Sequence, residues 1–427
     1  MTGIPEGSRE AGAGRTAAAA ALARGLEGVV VAQTRLSKVD GERGELIIGG
    51  FPVERLAPQA SFEEVLYLLW HDRLPTRAEL DALRRRLAAE RTLPAATVAL
   101  LRTAAARRAP AMDALRMAVA TLSLSDDHPE DGSRAANLRR ASALVGRFPT
   151  IVAAYWRLLH GRDPIDPHPR LGHAANFLHM ISGEEPPPEV ARALETYLNT
   201  VVDHGLNAST FTARVIVSTR SDMCSALVGA IGALKGPLHG GAPGPALDMV
   251  FEIQARAASS GRALGEEAAA YTRDVLAAGG RLMGFGHRVY KVRDPRAEVL
   301  GAAAVRLFQR AGDMRLYDEV RTVEEAVLGV LHEHKPGRRL ETNVEFYTAL
   351  LLHGVGLDSL LFSPTFAVAR AGGWTAHVLE QIGEDHLIRP SSVYVGPRAR
   401  SWVPVERRSS TAPAPVPLEA STQMSAG

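Results

Sequence analysis

The stretch ETNVEFYTALLLHG, residues 341–354, sets the reading of this chain. Glu345 stands in it among Val344, Phe346, Tyr347, Ala349 and Leu350–Leu352. A carboxylate in apolar company is costly unless it is paired, hydrogen-bonded or neutral. It is therefore either the wet edge of an ordinary helix or a general base whose pKa the site tunes. The apolar residues support a helix over 343–353, and working outward the helical signals continue. Ser61 with Glu64, and Thr76 with Glu79, have capping-box spacing before apolar periodic runs. Further helices are predicted at 93–108, 112–123, 149–160, 188–203, 208–219, 222–235, 245–258, 265–278, 295–311, 320–334 and 374–384. Strand signals are confined to GVVVAQTRLS at 28–37 and ELIIGGFPV at 45–53, joined by the turn-prone VDGERG. The class is mainly α with a short N-terminal β element.

The totals bound the function. The 427 residues are enough for a large core and more than one domain. Lys plus Arg number 49 and Asp plus Glu 47, so the net charge is only +2, which argues against a chain built to grip nucleic acid. No apolar run reaches the roughly 18 to 20 residues of a membrane span. The single cysteine, Cys224, excludes an intramolecular disulfide and a cysteine-based zinc site, and fits a reducing cytoplasm. Residues 1–25 read as a flexible segment, and the Pro-, Ser- and Ala-rich stretch 398–427 as a disordered tail.

Chemistry concentrates at glycine-flanked histidines. GPLHGGAPGP, residues 236–245, holds four glycines and three prolines around His239. A helix N-terminus keeps an imidazole neutral and able to donate to a carbonyl. His287 lies in GGRLMGFGHR at 279–288, and His204 in VVDHGLN. No two of the three have the short spacing of a metal-ligand pair, so no metal is expected. Arg296, Arg370 and Arg389 are candidate carboxylate-binding groups, since arginine grips carboxylates bidentately. Histidines, arginines and Glu345 together suggest a site for a small polyanion beside a polarisable carbonyl, with a carboxylate base.

Five stretches in order resemble the citrate synthases: DHGLNASTFTARV (203–215), GPLHGGAP (236–243), GFGHRVYKVRDPRA (284–297), NVEFYTALLL (343–352) and FAVARAGGW (366–374). The resemblance covers roughly residues 25–397. It implies a two-domain helical fold that closes over oxaloacetate and acetyl-CoA, with 26–240 and 346–397 as the large domain and 241–345 as the small one. It implies that Glu345 takes a proton from the acetyl methyl and that His239 hydrogen-bonds the thioester carbonyl. His287 would polarise the oxaloacetate ketone. His204, Arg296 and Arg370 would bind the oxaloacetate carboxylates, with Phe366 near the reacting centre. Arg389 would reach into a neighbour's site across a homodimer interface. Gly284, Phe285, Gly286, Lys291, Arg338 in KPGRR and Asn343 would line the CoA site. No metal, ATP loop or redox cofactor is required, and no GxxxxGK[ST] is present.

Three departures accompany the resemblance. The family's base is usually aspartate, where this chain has Glu345. Pro243 stands where many members have asparagine, and Gly205 where others often have glutamate. The acyl preference stays open between acetyl-CoA and propionyl-CoA, the latter giving 2-methylcitrate. A binding protein that has lost catalysis is the reading from a different class.

Overall fold

The computed structural model describes residues 23–26, 28–239, 243–286, 289–334, 340–397 and 400–408. A three-stranded antiparallel sheet, β1 (Ser37–Asp40), β2 (Glu45–Ile48) and β3 (Phe51–Pro52), opens the fold in the order β1-β2-β3. Then come α1 (Val53–Leu56), α2 (Phe62–His71), α3 (Arg77–Ala89), α4 (Ala95–Ala106), α5 (Ala111–Thr121), α6 (Arg134–Leu159), α7 (His173–Ser182) and α8 (Pro188–Val201). The chain continues through α9 (Ala208–Val217), α10 (Met223–Leu234), α11 (Pro243–Ser260), α12 (Leu264–Ala277), α13 (Pro295–Ala311), α14 (Arg315–His334), α15 (Val344–Gly354) and α16 (Phe362–Glu384).

Both expected capping boxes form. The Ser61 side chain accepts from the Glu64 amide while Glu64 accepts from the Ser61 amide at 2.8 Å, and Thr76 and Glu79 repeat the exchange. The strand expected at 28–37 is not there. Val29, Val30 and Val31 are exposed with no strand beside them, and pairing begins only at Ser37, opposite Ile48. β-branched residues favour a sheet only where a partner offers its ladder. The helices expected to start at 149 and 374 start at Arg134 and Phe362 instead. Pro149 sits buried inside α6 rather than at its start.

Helix α16 is the axis of the core. Nearly every residue from Ala367 to Leu379 is buried, against α2, α6, α8, α9 and α10. A Cβ on Gly373 would stand 2.2 Å from the Val202 carbonyl oxygen, so only glycine lets α16 cross the end of α8 this closely. A second group of helices, α11 to α15, packs mainly on itself, with α12 on α14 and α15 on both α11 and α13. There Glu324, buried, accepts from Thr342 Oγ1 at 2.6 Å, Tyr347 Oη at 2.5 Å and Arg321 at 2.7 Å, which fixes the start of α15.

Away from that group His173 is fully buried at the start of α7, with neither ring nitrogen hydrogen-bonded among the described residues. Burial, with Arg91 adding, pushes its pKa down to about 3. The unfolded chain binds this proton near the ordinary value of about 6.5 and the folded chain does not, so stability falls as pH drops below that value. Each pH unit in that window costs about 1.4 kcal/mol. Urea titrations at pH 7.5 and 5.0 should show His173→Phe losing less stability than wild type between the two. An equal loss would remove His173 from the account.

Candidate functional site

Part of this site stands at helix N-termini. Asn343 caps α15, its Oδ1 accepting from the Glu345 amide at 3.0 Å. Its backbone N–H donates to the Gly284 carbonyl at 3.0 Å and its Nδ2 to the Gly286 carbonyl at 2.8 Å. One asparagine thus ties the glycine loop to the helix that carries the carboxylate, and both ends of its side-chain amide are spent on that tie. Gly284 and Gly286 have φ of +86° and +77°, and a Cβ on Gly284 would stand 3.0 Å from Phe346. The Phe285 and Phe346 rings lie 5.1 Å apart. Glu345 itself is half-buried and accepts no hydrogen bond among the described residues. Burial raises its pKa, against the pull of Arg296, with Asp294 adding to the rise. It lines a cavity of about 270 Å³ with Met283, Gly284, Phe285, Leu340 and Asn343.

Arg296 is in the first turn of α13. Asp294, the N-cap, accepts from its Nε at 3.0 Å and its terminal nitrogen at 2.8 Å, and from the Val344 amide at 3.3 Å. The anchor of one arginine is therefore also a contact to the start of α15. The Arg296 guanidinium lies 5.8 Å from the Tyr290 ring centre, and Tyr290 Oη lies 3.0 Å from His204 Nε2.

Arg370 comes from α16. Its Nε donates to the Val201 carbonyl at 2.8 Å and its guanidinium lies 4.5 Å from the Phe366 ring centre. Its two terminal nitrogens have no partner among the described residues. Burial lowers its pKa to about 10, with Asp203 opposing and Arg296 assisting the shift. A buried guanidinium left this bare calls for an anion.

His239 closes the turn after α10. The Ser209 amide donates to its Nε2 at 3.2 Å, with Ser209 Oγ at 2.8 Å. An amide can only donate, so Nε2 carries the lone pair and the proton of the neutral ring sits on Nδ1. Trp374 Nε1 donates to Ser209 Oγ at 3.1 Å, and the single hydroxyl proton of Ser209 is shared between His239 Nε2 and Asn207 Oδ1, each 2.8 Å away. Burial, with Arg370 adding, lowers the His239 pKa to about 4. The ring is a neutral hydrogen-bond donor at ordinary pH.

Electrostatic coupling joins Arg370 to His239 and Arg296, and Arg296 to Glu345. The structure thus brings together His239, Arg296, Arg370 and Glu345, with His204, Phe366 and the glycine loop attached to them. Lys291 is exposed, its backbone amide donating to Gly41 at 2.9 Å. Arg389 is exposed beyond α16, apart from this cluster. His287 and Arg338 lie outside the described residues. Ser209, Asn207, Trp374, Tyr290 and Asp294 support the site and were not singled out from the sequence, although each falls inside one of the quoted stretches. Tyr197 was also missed. Its fully buried hydroxyl has no hydrogen-bond partner among the described residues and feels Arg370, Glu345 and Arg296. Three larger cavities touch none of these residues: two of about 380 and 500 Å³ beside α6 and the start of α10, and one of about 470 Å³ lined by Trp156, Leu247, Phe251 and His353.

The family model for the citrate synthase C-terminal domain matches residues 25–391. The chain belongs to the citrate synthase family. It is 43% identical to a citrate synthase of Haloferax volcanii over 91% of this chain and 99% of that one. A 2-methylcitrate synthase of Mycobacterium tuberculosis is 38% identical over 89% and 92%. The fold is similar to that of the Thermoplasma acidophilum citrate synthase, solved in a ternary complex with carboxymethyl coenzyme A and oxaloacetate. The TM-score is 0.81 at 30% identity, covering 91% of this chain and 99% of that one.

The coupling between Arg370 and His239 is directly measurable. Arg370→Gln removes a positive charge that disfavours the imidazolium, so the His239 pKa should rise from about 4 yet stay below the ordinary value, because burial is the larger cause. Titration by NMR of the imidazole resonances reads it. An unchanged pKa would mean the two groups are not neighbours in solution.

Proposed function

We propose that the chain condenses acetyl-CoA with oxaloacetate and water to citrate and CoA. The bare guanidinium of Arg370, set beside a neutral His239 and an unpartnered Glu345, carries this reading. Oxaloacetate brings two carboxylates, and Arg370, Arg296 and His204 would receive them. The Glu345 carboxylate takes a proton from the acetyl methyl while His239 Nδ1–H donates to the thioester oxygen. Base and donor must act together, because thioester methyl protons are weakly acidic. The resulting enol carbon attacks the oxaloacetate ketone, for which His287 is the proposed proton donor. Hydrolysis of the citryl thioester then releases CoA. Acetyl-CoA enters as a substrate, with the 284–286 loop and Lys291 and Arg338 at its CoA end. No further cofactor enters this scheme.

Glu345 places its carboxylate one methylene further out than the aspartate usual in the family. Misplacing a reacting group by about 1 Å costs on the order of 100-fold, so the proposal requires the backbone of α15 to stand back by a compensating amount. The Asn343 tie to the 284–286 loop is what would hold that offset. Two bodies are proposed to close on the substrates and exclude water, protecting the thioester; the boundary expected at 346 would divide α15, and because α15 packs on α11 and α13 the smaller body is taken to run through α15. The cytoplasm is the proposed location.

A homodimer with Arg389 reaching into the partner's site completes the proposal. Its support is the segment after α16, where Val393, Tyr394 and Val395 are 71%, 64% and 71% exposed. Apolar side chains in a row call for a covering surface.

Thiol release from acetyl-CoA, with and without oxaloacetate, tests the reaction, and the same assay with propionyl-CoA decides the acyl preference. Glu345→Gln should lower the oxaloacetate-dependent rate by about 10²- to 10⁴-fold. A variant as active as wild type would remove Glu345 as the base. The shared site has its own test. Arg389→Gln and Glu345→Gln should each be nearly inactive, while subunits unfolded and refolded together in equal amounts should recover about a quarter of wild-type activity, because half the dimers then hold one intact site. No recovery would place Arg389 in its own subunit's site.

A further inference from the structure

One face of α16 reads along the segment 201–214 residue by residue. Arg370 donates to Val201, Gly373 presses on Val202 and Asp203, Trp374 donates to Ser209, and His377 meets Asp203. Further along, Arg214 donates to Gln381, Glu380 and Glu384. Asp203, Arg214 and His377 have no exposed surface at all. Asp203 and Arg370 are opposite charges in the same interior, each in the field of the other, yet they form no ion pair. The reason is visible in the bonds that Asp203 makes instead. Ser37 Oγ and His377 Nε2 both hydrogen-bond Asp203 Oδ2, the latter at 3.3 Å, while Oδ1 lies 3.2 Å from His377 Nε2 and has no hydrogen bond of its own among the described residues. Arg214 fixes which way His377 faces. A guanidinium only donates, so its contact to His377 Nδ1 at 3.2 Å leaves the ring proton on Nε2, aimed at Asp203.

We propose that His377 is a positioning residue for substrate binding: its hydrogen bond to Asp203 Oδ2 and its close contact with Oδ1 turn that carboxylate toward His377 and keep it from closing on Arg370, whose terminal nitrogens stay open for a substrate carboxylate. The inference rests on the assignment of Arg370 to oxaloacetate above. A buried carboxylate deprived of a donor turns to the nearest cation, since isolated charge is the costliest thing in an interior. Without His377 that cation is Arg370, and Asp203 then competes with the substrate as a tethered internal anion. Arg214 acts one step further back, by setting the tautomer of His377. Ser37 also accepts from the Gly205 amide at 2.8 Å, so the same carboxylate steadies the turn that carries His204.

The test is steady-state kinetics of oxaloacetate-dependent thiol release by the full chain. In His377→Leu the KM for oxaloacetate should rise about tenfold or more, with kcat and the KM for acetyl-CoA within about threefold of wild type. His377→Gln, whose amide can still donate to Asp203, should stay within about threefold of wild type. Adding Asp203→Asn to the leucine variant should bring the KM back down, because a neutral amide cannot ion-pair with Arg370. A leucine variant with unchanged KM overturns the proposal, and so does a double variant no better than the single one, which would mark His377 as a packing residue. If the leucine variant does not fold, His377→Asn, too short to reach Asp203, carries the same comparison. Calorimetric titration with oxaloacetate alone gives the same readout without turnover. Wild-type protein that binds oxaloacetate but releases no thiol would therefore sink the condensing reaction and leave this inference to be judged by the titrations.

Discussion

Unpaired charge inside a protein is the constraint from which this structure follows. Arg214, Arg296 and Arg370 are all almost wholly buried, and each must be answered or left bare for a purpose. Arg214 is answered by Glu380, Glu384, Gln381 and His377, and Arg296 by the two oxygens of Asp294. Arg370 alone of the three makes a single bond, to a backbone carbonyl. Its guanidinium depresses the neighbouring His239 pKa, helping to keep that ring neutral, and is itself coupled to Arg296. Helix α16 makes the arrangement possible, because Gly373 lets it approach the end of α8 closely enough to set Arg370 on the Val201 carbonyl and His377 on Asp203.

The elements with local punctuation were legible in the sequence. The two capping boxes stand where their spacing put them, and α13 begins at Pro295 and ends at Ala311 as expected. Elements whose limits depend on tertiary packing were not. Pro149 and the Gly372–Gly373 pair look like breaks in a linear reading, but both lie inside long buried helices where surrounding contacts outweigh the local preference. The valines at 29–31 carry a strand signal that finds no partner.

The candidate site divides in the same way. Its reactive types, His239, Glu345 and the arginines, stood out because their chemistry is uncommon beside glycines and in apolar runs. Its supports did not, because a serine or a tryptophan has no chemical signature until a fold sets it against something. Ser209 matters only because α9 starts beside His239 and Trp374 reaches it from α16. Asp203 and His377 are 174 residues apart, a pairing that no periodicity reveals.

The amide of Asn343 has a kinetic meaning. It fastens the 284–286 loop to the first turn of α15, so the wall of the cavity and the carboxylate on that wall form one rigid piece. A movement that swings the loop away to let a thioester in or a thiol out must carry Glu345 with it. Under the proposed condensing mechanism, opening the cleft and withdrawing the proposed base would be a single event. A thioester resting in a half-open cleft would meet no base in position, and its methyl protons would stay where they are until the second substrate had helped to shut the door.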